Sequence, residues 1–524
     1  MKAHLVTLDP RELPAATGSK LYADYVSGVG KARSFYSWHP LDFEGALAER
    51  RGYDYPRQAV ARQLAEYNAR LGADPRVRAN IEALTDPNTF CVITGQQAGL
   101  MGGPAYTAYK IITTIRLAEH LTAARGLRVV PVFWLASEDH DFGEINHTFL
   151  IKSDGEIGRV RFGWHQKGRP ISDLGITDEV RRAVDEYWQL AIQGPFSAQS
   201  RGVFSFQTGE GFSGWQARVW SQLFSSYGLV VVEPQVVRSA AAEFFVSALE
   251  WTPQIRDRLE DVTRRLGEAG YEAAITSGDA GLLYTFDDDG QRVRVRDPQA
   301  HVRDAAQNPV RYSTDAALRP LLADAVLPVV ASVLGPGETA YQGMLKPLYE
   351  LYGLPQPVLY PRHSYTIVSR PEAERMAAYQ ISAERVLGQS IDSAAVLARL
   401  VPDEERRLFS VARRGMEDAL GPLRAYLEGV DPSLTRTWEQ TVQRSLGSLG
   451  KLEQRAVRAR MGQLGFSKIE LRRIQNALLP RARLQERVLP FVHFYSQHGP
   501  GLVDLLFSAG KPGAFGHHVL SLED

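Results

Sequence analysis

Continuous apolar runs, rather than strict alternation, set the frame of this chain. Residues 90–94 (Phe-Cys-Val-Ile-Thr), 129–134, 229–232, 327–333 and 357–360 are short, apolar and partly β-branched. That is the pattern of strands buried on both faces. Between the first two runs, Ala108, Ile111, Ile112, Ile115 and Ala118 recur at helical spacing. They predict a helix from Pro104, a residue suited to a first helical position, to about residue 124. Strand, helix and strand form a βαβ unit, and the later runs extend an α/β core.

Two pieces interrupt that core. Residues 145–226 begin irregularly, with a hairpin turn at 151–155, carry helical patterns at 177–191 and from 215, and read as a first insertion. In 270–313 the runs 282–286 and 293–295 flank Asp287-Asp288-Asp289-Gly290, a hairpin signal and a second insertion. Val60, Leu64 and Tyr67 make residues 1–88 look mainly helical. The expected division is 1–144 (helices and first half of the core), 145–226, 227–269 (core), 270–313, 314–371 (second half of the core), 372–478 (helical hairpin) and 479–524, which returns to the core.

In 372–478 the pattern changes to long helices. Leu408, Ala412, Met416, Ala419, Leu423 and Leu427 share one stripe, with a kink expected at Pro422 and an end at Gly429. After Asp431-Pro432 come Trp438, Val442, Ser445, Leu449, Leu452, Ala456 and Ala459, spaced alternately by 4 and 3, a coiled-coil seam. The pair is either ordinary two-helix packing or an arm used in dimerisation.

Composition adds exclusions. The 524 residues favour more than one domain. Lys+Arg and Asp+Glu are both 60, so charge gives no reason to expect nucleic acid or an acidic membrane surface as partner. The one cysteine, Cys91, lies in a predicted buried strand and is expected to be a core residue; cysteine poverty fits the cytoplasm. No signal peptide or membrane span is expected.

Candidate chemistry gathers at the ends of predicted strands. Residues 95–104 carry four glycines ahead of a helix, but neither GxGxxG nor a P-loop. Backbone amides there, with Lys110, could hold phosphate or carboxylate, or the glycines could merely shape the crossover. Glu138-Asp139-His140-Asp141 is the densest titratable cluster. It could serve acid/base work by His140 or bind a divalent metal, and Asp141 with Glu144 could simply cap a helix. No zinc motif is present. Glu338 could bind an amine or ribose hydroxyl, and Arg319 and Arg362 a carboxylate or phosphate.

Thr94-Gly95-Gln96-Gln97, Gly102-Gly103-Pro104 with Tyr106 and Lys110, Pro131-Val132-Phe133-Trp134 with Glu138-Asp139-His140-Asp141, Leu318-Arg319-Pro320, Gly335-Pro336-Gly337-Glu338 with Tyr341, and Leu484-Gln485-Glu486-Arg487 occur in this order. As a set they resemble the bacillithiol-biosynthesis cysteine-adding enzymes over nearly the whole chain. The resemblance implies a Rossmann-like parallel sheet, similar to the nucleotidyl-transferring fold of class I aminoacyl-tRNA synthetases. Two connecting-peptide insertions and a C-terminal coiled coil accompany it. It implies a ligase that joins cysteine to glucosaminyl malate in the last step of bacillithiol synthesis. ATP is the expected co-substrate, with Mg²⁺ beside it. On this view Gly95, Gln96, Gln97, Gly102, Gly103, Tyr106 and Lys110 hold the nucleotide, and Glu138, Asp139, His140 and Asp141 form the catalytic cluster. Arg319, Gly335, Glu338, Tyr341, Arg362 and Arg487 fall on the substrate side, and the coiled coil makes a homodimer. The chain departs from the pattern in lacking the synthetases' two signature histidines and in carrying Pro490 where an asparagine is usual. The competing readings are a metal-dependent hydrolase centred on residues 138–141 and a non-enzymatic coiled-coil binding protein.

Overall fold

The computed structural model describes residues 1–13, 19–139, 141–164, 168–275, 281–389, 391–400, 403–463 and 467–523. They form two compact units, Met1–Ile367 with Pro480–Asp524, and Val368–Leu479.

The first unit opens on a strand, β1 (Ala3–Leu8), where the sequence predicts helix. Helices then follow, among them Phe43–Arg51, Arg57–Arg70 and Pro75–Ala83. The first two apolar runs are β2 (Thr89–Gln96) and β3 (Arg128–Leu135), joined by the helix Tyr106–Arg125. That helix starts after Pro104, which forms an isolated bridge with Pro490 while the Ala105 amide donates to Leu489 O (2.8 Å). It ends at Gly126, whose φ of 63° suits a left-handed cap that favours glycine.

The hairpin of β4 (His147–Ile151) and β5 (Ile157–Arg161) precedes β6 (Val230–Val232). Strands β7 (Leu283–Phe286), β8 (Arg292–Arg294) and β9 (Tyr312–Thr314) make a small antiparallel sheet that contains the expected second hairpin. Next come β10 (Val329–Leu334), β11 (Val358–Pro361) and β12 (Ser364–Val368). Finally β13 (His517–Leu522) pairs antiparallel with β1, from Ala3↔Leu522 to Leu8↔His517.

The five predicted core strands form one parallel sheet in the order β11-β10-β2-β3-β6. Counted along the chain from the β6 edge this is 3-2-1-4-5, a Rossmann-like order that reverses between β2 and β10. Both faces are covered. Phe90 and Val92 pack with Leu117, Leu121 and Val330 on one side, and Cys91 and Ile93 with Leu64, Ile81 and Leu322 on the other. Double-sided burial is why these strands read as continuous apolar runs. Cys91 is indeed core, and burial pushes its thiol up to about 12.

The second unit is helical. Its longest elements, Asp403–Val430 and Leu434–Gln463, pack antiparallel: Trp438 Nε1 donates to Leu420 O (2.9 Å), and Arg413 pairs with Glu453 (3.0 Å). The first runs through Pro422 without ending. The seam agrees with the expected one only in part. Met416, Leu427, Trp438, Val442, Ser445 and Leu449 are partly covered as expected, whereas Leu408, Leu423 and Leu452 are 67%, 47% and 57% exposed and Phe409, Leu420, Glu453 and Val457 are partly covered instead. An ideal helix drifts by about 20° per heptad, so a strict 4,3 spacing walks off the contact face. Among the described residues no helix is long and apolar enough to cross a membrane.

Candidate active site

A cavity of about 390 Å³ lies where β2, β3 and β10 end, at the reversal of strand order. The carboxyl ends of such strands are where open α/β sheets bind ligands. Of the predicted residues, Gly95, Gln96, Gln97, Asp139, Arg319, Glu338 and Tyr341 line it. Ile93, Trp134, Ala136, Pro320, Ala323 and Leu334 give it apolar walls.

Lys110 supports this wall from behind. It is 1% exposed, and its Nζ donates to Gly95 O (2.9 Å), Gln96 Oε1 (3.0 Å) and Glu338 Oε1 (2.7 Å). Those bonds use all three ammonium protons, so Lys110 is no free counter-ion for phosphate. Burial lowers its pKa, against the pull of Glu338. Glu338 Oε2 also accepts the Gly335 amide (2.8 Å), capping its own helix, Pro336–Gly343. Burial pushes the Tyr341 phenol, on the same helix, up to about 12.

The acidic cluster does not converge. Glu138 is fully buried and accepts from Arg238 Nε (2.6 Å), a structural ion pair rather than a cavity group. Asp139 turns to the cavity, accepting from Gln97 Nε2 (2.9 Å) and Arg319 Nη2 (3.4 Å). Asp141 is exposed and accepts the Gly143 amide (3.1 Å), the capping role for the helix Phe142–Ile145. His140 lies outside the described residues. Glu138 lies at a bend beyond the end of β3, and the two neighbouring side chains part there, Glu138 to Arg238 and Asp139 to the cavity. Glu144 joins Asp139 at the cavity, its carboxyl raised by burial and then by Asp141 and Asp139. Among the described residues no group of three or more His, Cys, Asp or Glu could hold a metal ion.

The glycine turn does not present the expected phosphate cradle. Gly102 and Gly103 have φ of 85° and 67°, so glycine is needed there for conformation. Their amides are used by Gly99 O (3.0 Å) and Leu100 O (3.1 Å). A Cβ on Gly102 would lie 3.1 Å from the Trp220 ring. The turn is therefore packed into the core, and neither glycine lines the cavity. Tyr106 is half-buried beside Gln96 (Oη to Nε2, 3.4 Å), and burial pushes its phenol up to about 12.

Arg362 is likewise committed. It is 7% exposed and forms a two-pronged pair with Glu486, so it is not open to a substrate carboxylate. Gly335 packs nearby, with space for a Cβ limited by Glu338 Oε2 at 3.3 Å. Arg487 is exposed, and its charge reaches Lys110 and Tyr106.

Sequence reasoning missed two groups. Asp324 lines the cavity from the helix Leu318–Val326; a lone carboxylate in the apolar run 321–326 was its only local signal. Arg238 is 100 residues from Glu138 and had none.

Sheet order, switch-point cavity and helical second unit define a Rossmann-like α/β protein with a coiled-coil domain. Comparison with known families makes this specific. The model described as "Bacillithiol biosynthesis BshC, N-terminal Rossmann-like domain" matches residues 8–363, and its "C-terminal coiled-coil domain" counterpart matches 365–522. The chain belongs to the BshC family of bacillithiol biosynthesis. It is 31% identical to a Koribacter versatilis protein, with 95% of this chain and 96% of that one covered. It is 28% identical to a Salinibacter ruber protein (98% and 98% covered). Identity to a Geobacillus kaustophilus protein is also 28% (98% and 100% covered). Each relative is named "Putative cysteine ligase BshC", in agreement with the expectation of a ligase enzyme.

Proposed function

We propose that this chain joins cysteine to glucosaminyl malate through an amide, the last step of bacillithiol synthesis, with ATP as co-substrate. The observation that carries the reading is the acidic switch-point cavity. Asp139, Glu144, Asp324 and Glu338 face it, against one lining arginine, Arg319. Such a lining suits substrates that bring primary ammonium groups, as cysteine and the glucosamine both do.

Amide formation from a carboxylate needs activation. ATP converts the cysteine carboxylate to an acyl-adenylate, releasing pyrophosphate, or to an acyl-phosphate, releasing ADP. The glucosamine nitrogen, once deprotonated, attacks the acyl carbon and expels AMP or phosphate. His140, next to Asp139 in sequence, is the proposed acceptor of the amine proton. Glu338, held by Lys110, and Asp139, held by Gln97 and Arg319, shape the cavity in which the two substrates meet. Mg²⁺ travels with the ATP phosphates. The reading carries with it a cytoplasmic location, where ATP and reduced thiols are available. It also includes a homodimer through the coiled coil, whose first long helix exposes Leu408, Val411, Tyr426 and Val430.

The test is incubation of the pure protein with ATP, Mg²⁺, cysteine and glucosaminyl malate, followed by mass spectrometry. Bacillithiol with matching AMP or ADP is expected. Hydrolysis of a supplied amide without ATP would instead favour the hydrolase. Normal turnover by H140A would remove His140 from the proton step, and sedimentation reads the oligomeric state.

A further inference from the structure

We propose that the Asp324 carboxylate, at the cavity wall, binds the primary ammonium of a substrate. The choice of amines rests on the ligase reading; the site itself rests on geometry.

Asp324 is 1% exposed yet belongs to the cavity lining. Its Oδ2 accepts from Tyr349 Oη. Arg50 contributes a favourable charge, but its guanidinium donates to Tyr55 Oη (3.0 Å) and Pro355 O (2.6 Å) instead. Around this cluster stand the further titratable groups Tyr53, Arg57, Cys91 and Tyr341. Asp139 and Glu338, by contrast, already have Arg319 and Lys110. Asp324 is thus a lining carboxylate with no ion-pair partner among the described residues.

Burying a carboxylate without a directly paired cation is costly, so burial pushes this one up to about 7, the Arg50 charge offsetting only part of the rise. A purely structural acid gains nothing from facing a cavity. A ligand ammonium would supply the missing cation between apolar walls, where the attraction is weakly screened.

The step balances simply. The ligand arrives as R–NH₃⁺ and keeps its proton. The neutral acid of Asp324 releases its proton to solvent and becomes the counter-ion. Binding therefore releases one proton well below pH 7 and none between that midpoint and the pKa of the amine itself. Affinity rises about tenfold per pH unit below the midpoint and then levels.

The experiment is calorimetric titration of the full chain at pH 6 and pH 8, each in two buffers of different ionisation enthalpy. The probes are cysteine, glucosaminyl malate and their N-acetyl forms. At least one amine should bind with proton release at pH 6 only, and its N-acetyl form at least tenfold more weakly. D324N should weaken that amine at least tenfold at pH 8 and abolish the proton release. Y349F keeps the carboxyl but removes its donor, so the pH midpoint should move up. The amine that responds identifies the source of the ammonium. If D324N, or Y349F should D324N not fold, binds both amines with the wild-type pH dependence, the assignment is overturned, and turnover by the same protein leaves the ligase reading intact. Asp324-dependent amine binding without amide formation from ATP supports the site and removes the ligase reading. Binding of neither amine overturns both.

Discussion

Arg362 and Glu486 meet through two parallel bonds, Nη2 to Oε1 at 2.5 Å and Nη1 to Oε2 at 3.0 Å, with both side chains buried. Glu486 also accepts from Ser364 Oγ (2.9 Å) and the Tyr365 amide (3.0 Å). One carboxylate thereby fastens the exit of β11 and the start of β12 to residues 485–487. Removing it leaves a buried guanidinium unpaired. E486A should lose about 3–5 kcal/mol in urea unfolding. The double variant R362M/E486L should lose distinctly less, because neither charge is stranded.

Lys110 and Glu338 make a different prediction, because Glu338 faces the cavity. K110M should lower kcat/KM at least tenfold, about 1.4 kcal/mol in the transition state. Circular dichroism should remain native. Unchanged kinetics would show that the pair does not shape the site.

Glu138 should report on stability. R238M leaves the fully buried Glu138 without its cation and should cost about 3–5 kcal/mol. The surviving folded enzyme should keep its turnover. A large fall in kcat for E138Q at unchanged melting temperature would return Glu138 to the chemistry.

Acid should destabilise the first unit before any catalytic group is considered. Burial pushes His363, His493 and His517 down to about 4. Their folded values lie below the ordinary 6.5, so the unfolded chain binds more protons between those limits. The contribution is complete above about pH 6.5 and declines toward pH 4, by at most about 1.4 kcal/mol per pH unit for each histidine. Asp324 works oppositely, since its raised value favours the folded state at low pH. Among the described residues of this unit His147, His498 and His518 are lowered as well, against Glu144, Asp315 and Asp324 raised, so six histidines against three carboxylates still leave stability falling with acid. Urea midpoints from pH 7.5 to pH 5 measure it, and a flat profile would contradict the buried neutral histidines.

The central sheet was legible because each of its strands is apolar on both faces and so announces itself locally. β1 was not, because its partner β13 lies at the other end of the sequence. The same holds at the site. Gly95, Gln97, Asp139 and Glu338 could be read from their positions at or just beyond strand ends, and the cavity contains them; Arg319 also lines it, but from the helix Leu318–Val326 rather than from a strand end. The commitments of Lys110, Glu138 and Arg362 could not, since each depends on a side chain more than 90 residues away. A charged residue looks available in sequence until its partner is placed.

The pairing of β1 with β13 also constrains the order in which the molecule can be made. Residues 1–367 hold the whole parallel sheet, yet Glu486 and β13 are synthesised only after the intervening helical unit. At about 5–20 residues per second, the ribosome needs roughly 8–30 s to travel from residue 367 to the end of this sequence. For that interval the nascent sheet carries Arg362 without its carboxylate and β1 with an open edge. The chain should therefore depend on chaperone shelter during translation more than its final packing would suggest.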